Sequence, residues 1–479
     1  MNIIRGITVH ILCALATPCG LAGATTHPNV IIFNTDDHAQ RAVGAYGNKE
    51  IHTPNMDRLA REGMRFDRAF SKPVCSPSRA MTLTGLYSHR VGIPDYIPYV
   101  NPVHADNGLP AGTPTIASVL KPTGYTSALI GKWHLGYGEK YYPEHFGFEV
   151  VEGHPYVAPG KKYDGLASLP SIVDGKEIMD FKNKRQTDIL TERAIHFIRE
   201  HRAKPFFLFF NPFVTHQGYW STVPDEDLAR YADRPLTVPK LPRVPGVQMD
   251  EAGLRRLTSI FYGAVTCADR SLGRLLATLD DLNLTQNTIV LFMADNGMNL
   301  GHLALIGKGN ANILGSNPRV HRPNMFDRSV LVPFVVRWPG VVKAGTTSDK
   351  LVSTIDILPT LIEVTGAAQG QELRLDGRSL LPLLKNQDAS WRSDYSDTYD
   401  MIYHAESHMR MLRTDRWKLV RHFDAHGNAL ADGSRHELYD LKSDSAESAN
   451  LYGKAEAAEI QRQLDSRLRA WMREAGVTK

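Results

Sequence analysis

The sequence predicts an α/β fold: a large, mostly parallel sheet sandwiched by helices, followed by a smaller C-terminal domain of antiparallel sheet plus helix. Three observations predict it. Strand-length apolar runs alternate with amphipathic helical stretches through the first 365 residues, as in sheets covered on both faces. Four of those runs end in charged or amide side chains. After about residue 380 the alternation stops, and short β-like pieces and one long amphipathic stretch take over.

The elements follow in order. Residues 1–24 read as an export signal: Arg5 opens it, "GITVHILCALATPCGLAGA" supplies the apolar stretch, and Ala22-Gly23-Ala24 gives the small-x-small cleavage pattern. The expected product is exported, periplasmic or secreted, and no later stretch is apolar and long enough to span a bilayer. Of four cysteines, Cys13 and Cys19 leave with the signal. The remaining two, Cys75 and Cys267, exclude a disulfide framework as the source of stability. Loss of Arg5 takes the formal charge from +4 to +3, too mild for nucleic-acid binding and compatible with an anionic substrate met at a local basic site.

The catalytic domain is expected over 25–380 and the C-terminal domain over 381–479. "NVIIFNTDD" is a strand ending in Asp36 and Asp37; "TSALIGKWHLG" ends in Lys132 and His134; "PFFLFFNPFVTH" ends near His216; "TIVLFMADNG" ends in Asp295 and Asn296. "TDILTERAIHFIREH" and "LRRLTSIFYGAVTCADRSLGRLLATLDDL" carry helical periodicity, with Cys267 on an apolar, inert face. Residues 220–250, with five prolines, are expected to run extended over the surface. "LPLLKNQDASWRSDYSD" reads as polar and turn-rich, "HMRMLRTDRWKLVRHF" and "HELYDL" as strands, and "AEAAEIQRQLDSRLRAWMREAG" as a closing helix. In open α/β sheets, ligands bind beyond the carboxyl ends of the strands. Carboxylates and an amide collected there beside Lys and His outline an active site.

"CSPSRAMTLTGLYSHRVG", beginning at Cys75, closely resembles the signature of the type I, formylglycine-dependent sulfatases, a branch of the alkaline-phosphatase superfamily. "NTDDH", "TPNMDRLAREGMRFDRAFS", "GYTSALIGKWHLG", "ADNG", "GKG", "VPFVVRWPG", "STIDILPTL" and "LRTDRWKLV…HELYDLKSDSAESANL" extend the resemblance over nearly the whole mature chain. It implies an alkaline-phosphatase-like fold and hydrolysis of sulfate esters with S–O cleavage, the substrate being a sulfated oligo- or polysaccharide. It also implies a maturating enzyme that oxidises Cys75 to formylglycine. The chemical reason is that a hydrated aldehyde has two hydroxyls: one attacks sulfur, and deprotonating the other expels sulfate, where a serine would be left esterified.

By the same resemblance, Asp36, Asp37, Asp295 and Asn296 are metal ligands, joined by one oxygen of the modified Cys75. An all-oxygen cage suits calcium, with magnesium as the alternative. Arg79 braces the nucleophile, Lys132 and Lys308 bind sulfate, His134 is the base that releases it, and His216 lies near the leaving oxygen as general acid and sulfate contact. Departures exist. "ANILGSNPRVHRPNMFDRSVLVP" intervenes after "GKGN", with Asp327 near the place of the family's acidic residue, and resembles insertions of polysaccharide sulfatases. His302, His321 and Arg322 are candidate glycan contacts there. "THQGYW" lacks the proline that often follows the family's His. The competing functions are a phosphonate monoester or phosphodiester hydrolase of the same superfamily and an inactive glycan-binding homologue.

Overall fold

The computed structural model describes residues 27–98, 106–154, 171–173, 176–178, 186–241, 249–367, 373–387 and 390–477; the expected signal segment lies outside them. Eight strands form the main sheet, in the spatial order Thr346–Ser353, Met64–Phe70, Phe334–Arg337, Thr288–Ala294, Asn29–Thr35, Phe206–Asn211, Thr126–Gly131 and Val150–Glu152. Only Phe334–Arg337 runs against its neighbours, so the sheet is mostly parallel.

Period-2 alternation divides the central strands between two cores. Val30, Ile32, Phe207, Phe209, Ile289 and Leu291 face one core, shared with helices Cys75–Thr84, Ile116–Leu120 and Ile357–Thr365. Ile31, Phe33, Leu208, Phe210, Val290 and Phe292 face the other, against helices Pro54–Glu62, Gln186–His201 and Glu251–Asp281. Cys267 lies buried in this second core. Continuous apolar strands are what burial on both faces requires.

The C-terminal sheet is antiparallel, ordered Asp394–Met401, Ser407–Thr414, Trp417–Phe423 and Glu437–Asp440. Helix Ala458–Glu474 packs on one face, through Leu464 and Leu468 against Leu412, Leu419 and Leu438. The other face, with Tyr395, Tyr399, Met401, Met409 and Met411, packs on Phe70, Val74 and Val330 beside the cysteine-bearing helix.

Residues 220–231 differ from the expected surface excursion, whereas 232–241 match it, lacking helix and strand and, Leu236 apart, standing exposed or half-buried. Helix Asp225–Ala229 packs against the long helix Glu251–Asp281. Tyr231 is fully buried, its hydroxyl accepting from His52 N–H at 2.8 Å and meeting Thr266 Oγ1 at 2.7 Å. Residues 242–248, which include two of the five prolines, lie outside the described part.

Candidate active site

Five segments converge beyond the carboxyl ends of the sheet. Asp36 and Asp37 follow Asn29–Thr35, Lys132 and His134 follow Thr126–Gly131, and His216 follows Phe206–Asn211. Asp295 and Asn296 follow Thr288–Ala294, and Cys75 opens helix Cys75–Thr84 just after Met64–Phe70.

The C-x-P-x-R spacing has a local explanation. Pro77 falls in the first turn of the helix, where a missing N–H costs nothing. Arg79 is one turn beyond Cys75 and therefore on the same face. Every residue of this helix is buried, so its N-terminal N–H groups and the residue-75 side chain open onto the site rather than onto bulk water, a setting that favours anions.

Cys75 Sγ, which stands where an oxygen of the modified residue would stand, lies 3.4 Å from Asp36 Oδ1, 3.8 Å from Asp37 Oδ1 and 2.6 Å from Lys308 Nζ. Lys132 Nζ donates to Asp36 Oδ2 at 2.6 Å, and Lys308 also pairs with Asp37. Arg79 donates Nε and Nη2 to Asp295 Oδ2 at 3.0 and 2.8 Å, and Nη1 to Lys132 O at 2.8 Å and Asn211 Oδ1 at 3.1 Å. Two glycines make the approach feasible. A Cβ on Gly131 would sit 2.1 Å from Asn211 O, and one on Gly309 would sit 2.5 Å from Pro73 Cβ. Gly309 N–H donates to Pro73 O at 2.8 Å, which brings Lys308 alongside Cys75. Asp37 and His134 adopt left-handed backbone at φ 53° and 64°, a conformation uncommon outside glycine that Asp and His accept more readily than most, and that is concentrated at functional sites.

The charges are arranged unevenly. Burial alone would raise Asp36, yet Lys132, His216, Arg79 and Lys308 together hold it well below the usual carboxylate range. Burial raises Asp37, and burial with the Asp36 charge raises Asp295. Burial, then Asp295 and Asp36, pushes the Cys75 thiol well up. Burial, then Lys132 and Arg79, keeps His134 neutral. Burial takes His216 down to about 3.

These directions test whether a cation fits. Asp36, Asp37, Asp295 and the amide oxygen of Asn296 offer oxygen ligands, and buried Asn296 Oδ1 has no hydrogen-bond partner among the described residues. Asn296 Nδ2 turns to Asp37 Oδ1 at 2.8 Å. Burial raises two of these carboxyls, so dry carboxylates that ionise at a cost face one another here. A hard divalent cation fits that donor set.

The imidazoles are fixed by their partners. His134 Nε2 donates to Ile97 O at 2.9 Å, which leaves the basic lone pair on Nδ1. His216 Nδ1 accepts from Gly218 N–H at 3.1 Å, so Nε2 carries the proton, 3.7 Å from Asp37 Oδ2. This contact to Gly218 orients the ring without the family's proline.

Residues that the sequence reading missed support these groups. Asn211 Oδ1 accepts from Asn34 Nδ2 at 2.8 Å as well as from Arg79. Thr215 Oγ1 accepts from Asp36 N–H at 3.1 Å. Asn324 Nδ2 donates to Lys308 O at 2.9 Å. Ser76 Oγ accepts from Ile97 N–H at 3.0 Å, and so anchors the residue whose carbonyl, in the next peptide unit, accepts from His134. Asn211, at a strand end, carried the signal used for its neighbours; Ser76 carried none.

The remaining candidates lie elsewhere. His302 is 4% exposed and packs edge-on against Phe326. Asp327 opens helix Asp327–Val330 and pairs with Lys418 at 2.8 Å and Arg413 at 3.4 Å. His321 and Arg322 stand on the strand-like return beside Lys308, where Arg322 N–H donates to Ala311 O and the Arg322 guanidinium lies over Phe326.

Comparison with known proteins gives a consistent picture. The sulfatase family model matches residues 28–367, and a model described as the C-terminal part of N-sulphoglucosamine sulphohydrolase matches 320–474. The chain is 27% identical to an N-acetylglucosamine-6-O-sulfatase of Bacteroides thetaiotaomicron, over 92% of this chain and 85% of that one. It is 31% identical to an N-acetylgalactosamine-6-sulfatase of Mus musculus, over 76% and 68% respectively. A solved structure in complex with its substrate D-glucosamine-2-N,6-O-disulfate shares the fold at TM-score 0.72 and 24% identity, over 95% and 99% of the two chains. A phosphonate monoester hydrolase of Agrobacterium radiobacter shares it equally, at TM-score 0.72 and 20% identity, over 94% and 96%. The chain therefore belongs to the sulfatase family of sulfuric ester hydrolases.

Proposed function

We propose that this protein releases sulfate from a sulfated carbohydrate, with residue 75 as nucleophile after conversion of Cys75 to formylglycine by a maturating enzyme. One observation carries the reading. The residue-75 side chain opens a buried helix and points at two carboxylates and a lysine within 3.8 Å. The hydrated aldehyde would supply a hydroxyl to attack sulfur and a second whose proton is removed to expel sulfate. Calcium, with magnesium as the alternative, would be held by Asp36, Asp37, Asp295, Asn296 and an oxygen of residue 75, and would acidify that oxygen and offset sulfate charge.

The chain's own groups divide the rest. Lys132 and Lys308 stabilise charge on the sulfate oxygens. Arg79 fixes Asp295 and the Lys132 backbone. His134 takes a proton at Nδ1. His216, neutral and with Nδ1 committed to Gly218, acts as an Nε2–H donor toward the sulfate oxygens, because a general acid would need Nδ1 protonated against that N–H. The names of the relatives make 6-O-sulfated N-acetylhexosamines the first substrates to test. Domains 25–380 and 381–479 are read as one working unit behind an export signal over 1–24, giving a periplasmic or secreted enzyme.

The test is sulfate release from 6-O-sulfated N-acetylhexosamines and from paired aryl sulfate and aryl phosphonate esters, together with the mass of the Cys75 peptide. Release from the sulfates and the mass of formylglycine are expected. Preference for phosphonate would turn the reading to the phosphonate hydrolases, and binding without turnover to an inactive glycan-binding homologue. Cys75→Ser, in a host that leaves serine unmodified, should fold yet not turn over.

A further inference from the structure

Three segments far apart in the chain build a wall of rings beside the sulfate-binding lysine. Tyr96 follows the cysteine-bearing helix, His321 stands on the return of the insertion, and His404 lies in the turn between strands Asp394–Met401 and Ser407–Thr414. The His321 and His404 rings stack at 4.2 Å and 9°. His404 and Tyr96 stack at 5.4 Å and 22°, with Tyr96 Oη and His404 Nε2 2.9 Å apart. Tyr403 meets Tyr96 edge-on at 5.4 Å.

The wall is built in advance. Asp95 accepts from the backbone N–H groups of Tyr96 at 2.8 Å, Ile402 at 2.9 Å and Tyr403 at 3.4 Å, which ties two of the segments together. His321 Nδ1 lies 3.3 Å from Asn310 O, two residues from Lys308. Val320 and Ile402, adjoining His321 and Tyr403, are 47% and 46% exposed and are the large apolar side chains that stand most in water among the described residues. Arg319 is exposed, and none of the ion pairs among the described residues includes it. Its charge, after burial and His321, acts on His404, while the charge of Lys308 reaches Tyr96. The rings thus stand between a lysine of the sulfate site and an uncommitted arginine.

We infer that Tyr96, His404 and His321, flanked by Arg319, form a sugar-binding subsite that holds the ring joined to the sulfate-bearing one, an acidic ring being favoured. One exposed ring, His404, held in a stack with the half-buried Tyr96 and His321, offers rigid area, and a few placed polar groups beside an apolar wall are what orients a ligand. The inference rests on the proposed sulfate-ester hydrolysis but is read by binding rather than turnover.

The experiment uses the full chain carrying Cys75→Ala, which leaves substrate intact. Calorimetry compares N-acetylgalactosamine-6-sulfate with a disaccharide in which a uronate is joined to that sugar. The disaccharide is expected to bind about fivefold to tenfold more tightly. His404→Ala and His321→Ala should erase that gain, and His404→Tyr should keep it. Equal affinities in the parent, or a gain that survives both alanine variants, would overturn the subsite. Failure of the hydrolysis reading appears separately, as no sulfate release from either sugar by the Cys75 enzyme.

Discussion

At residue 216 the hydrogen-bond pattern decides between two chemistries. A general acid must lose a proton that the leaving alcohol needs, so its removal harms esters of poor leaving groups most. An N–H donor stabilises charge for every ester alike, worth about 10²–10³ in kcat when removed. His216 Nδ1 is committed to Gly218 N–H, so His216→Ala is expected to slow a nitrophenyl sulfate and a sugar sulfate by similar factors. A far larger loss on the sugar sulfate would restore the acid role. At residue 76 the expectation concerns position. Ser76→Ala removes the acceptor for Ile97 N–H and loosens the carbonyl that fixes His134. It should lower kcat about tenfold with KM little changed, and Ser76→Thr should recover it; a rise in KM alone would place Ser76 outside this path. Asp36, Asp37, Lys132, His134, Asp295 and Asn296 were legible because each follows directly on an apolar run, whereas Cys75, Arg79, His216 and Lys308 were read chiefly from the family resemblance. Ser76, Thr215 and Asn324 were not, since a serine, threonine or asparagine declares its partner only after the chain has folded.

At the scale of elements, strand Asp394–Met401 shows why part of the fold stayed hidden. Its first half, "DYSD", closes the stretch read as polar and turn-rich, yet Tyr395, Asp397, Tyr399 and Met401 alternate inward. Asp397 breaks the apolar pattern because it pairs with Lys72 at 2.6 Å, both side chains essentially unexposed. Lys72 also donates to Thr398 Oγ1 at 3.0 Å, so this pair clamps the C-terminal sheet to the segment just before Cys75. Removing one member of such a pair leaves a buried charge and costs about 3–5 kcal/mol. Asp397→Asn should therefore lower the urea midpoint markedly, while Lys72→Met with Asp397→Leu should recover much of it. Equal losses in single and double variants would show that no paired charge is at stake. Strands Met64–Phe70 and Thr346–Ser353 were hidden for a related reason: "MRFDRAF" and "TTSDKLVS" carry charged or polar residues on partly exposed positions of the sheet margin. The four central strands were legible because burial on both faces makes them continuously apolar.

For the whole molecule, the question is how a core can carry Asp36, Asp37 and Asp295 so close together. Arg79, Lys132 and Lys308 lie among them, but Asp37 and Asp295 still hold their protons above the usual range, through burial first and then the charge of Asp36. The sign follows. For these two groups the folded pKa is raised, so their contribution to stability is full below the ordinary carboxylate range and is lost as pH rises through the raised values. Asp36, held low, works in the opposite sense and loses its contribution only as pH falls through its depressed value. A cation bound by these carboxylates needs them ionised, so it displaces protons from Asp37 and Asp295, and its affinity rises with pH. An ion at about a hundred times its Kd adds roughly 2.7 kcal/mol. Thermal midpoints of calcium-loaded and EDTA-treated protein should therefore differ, and the gap should widen as pH is raised from about 5 to about 7. Magnesium, which demands stricter octahedral geometry, should give a smaller gap at equal concentration. A gap that closes with rising pH, or one that survives Asp295→Asn unchanged, would remove the cation from this cluster and leave its three carboxylates to be balanced by the lysines and Arg79 alone.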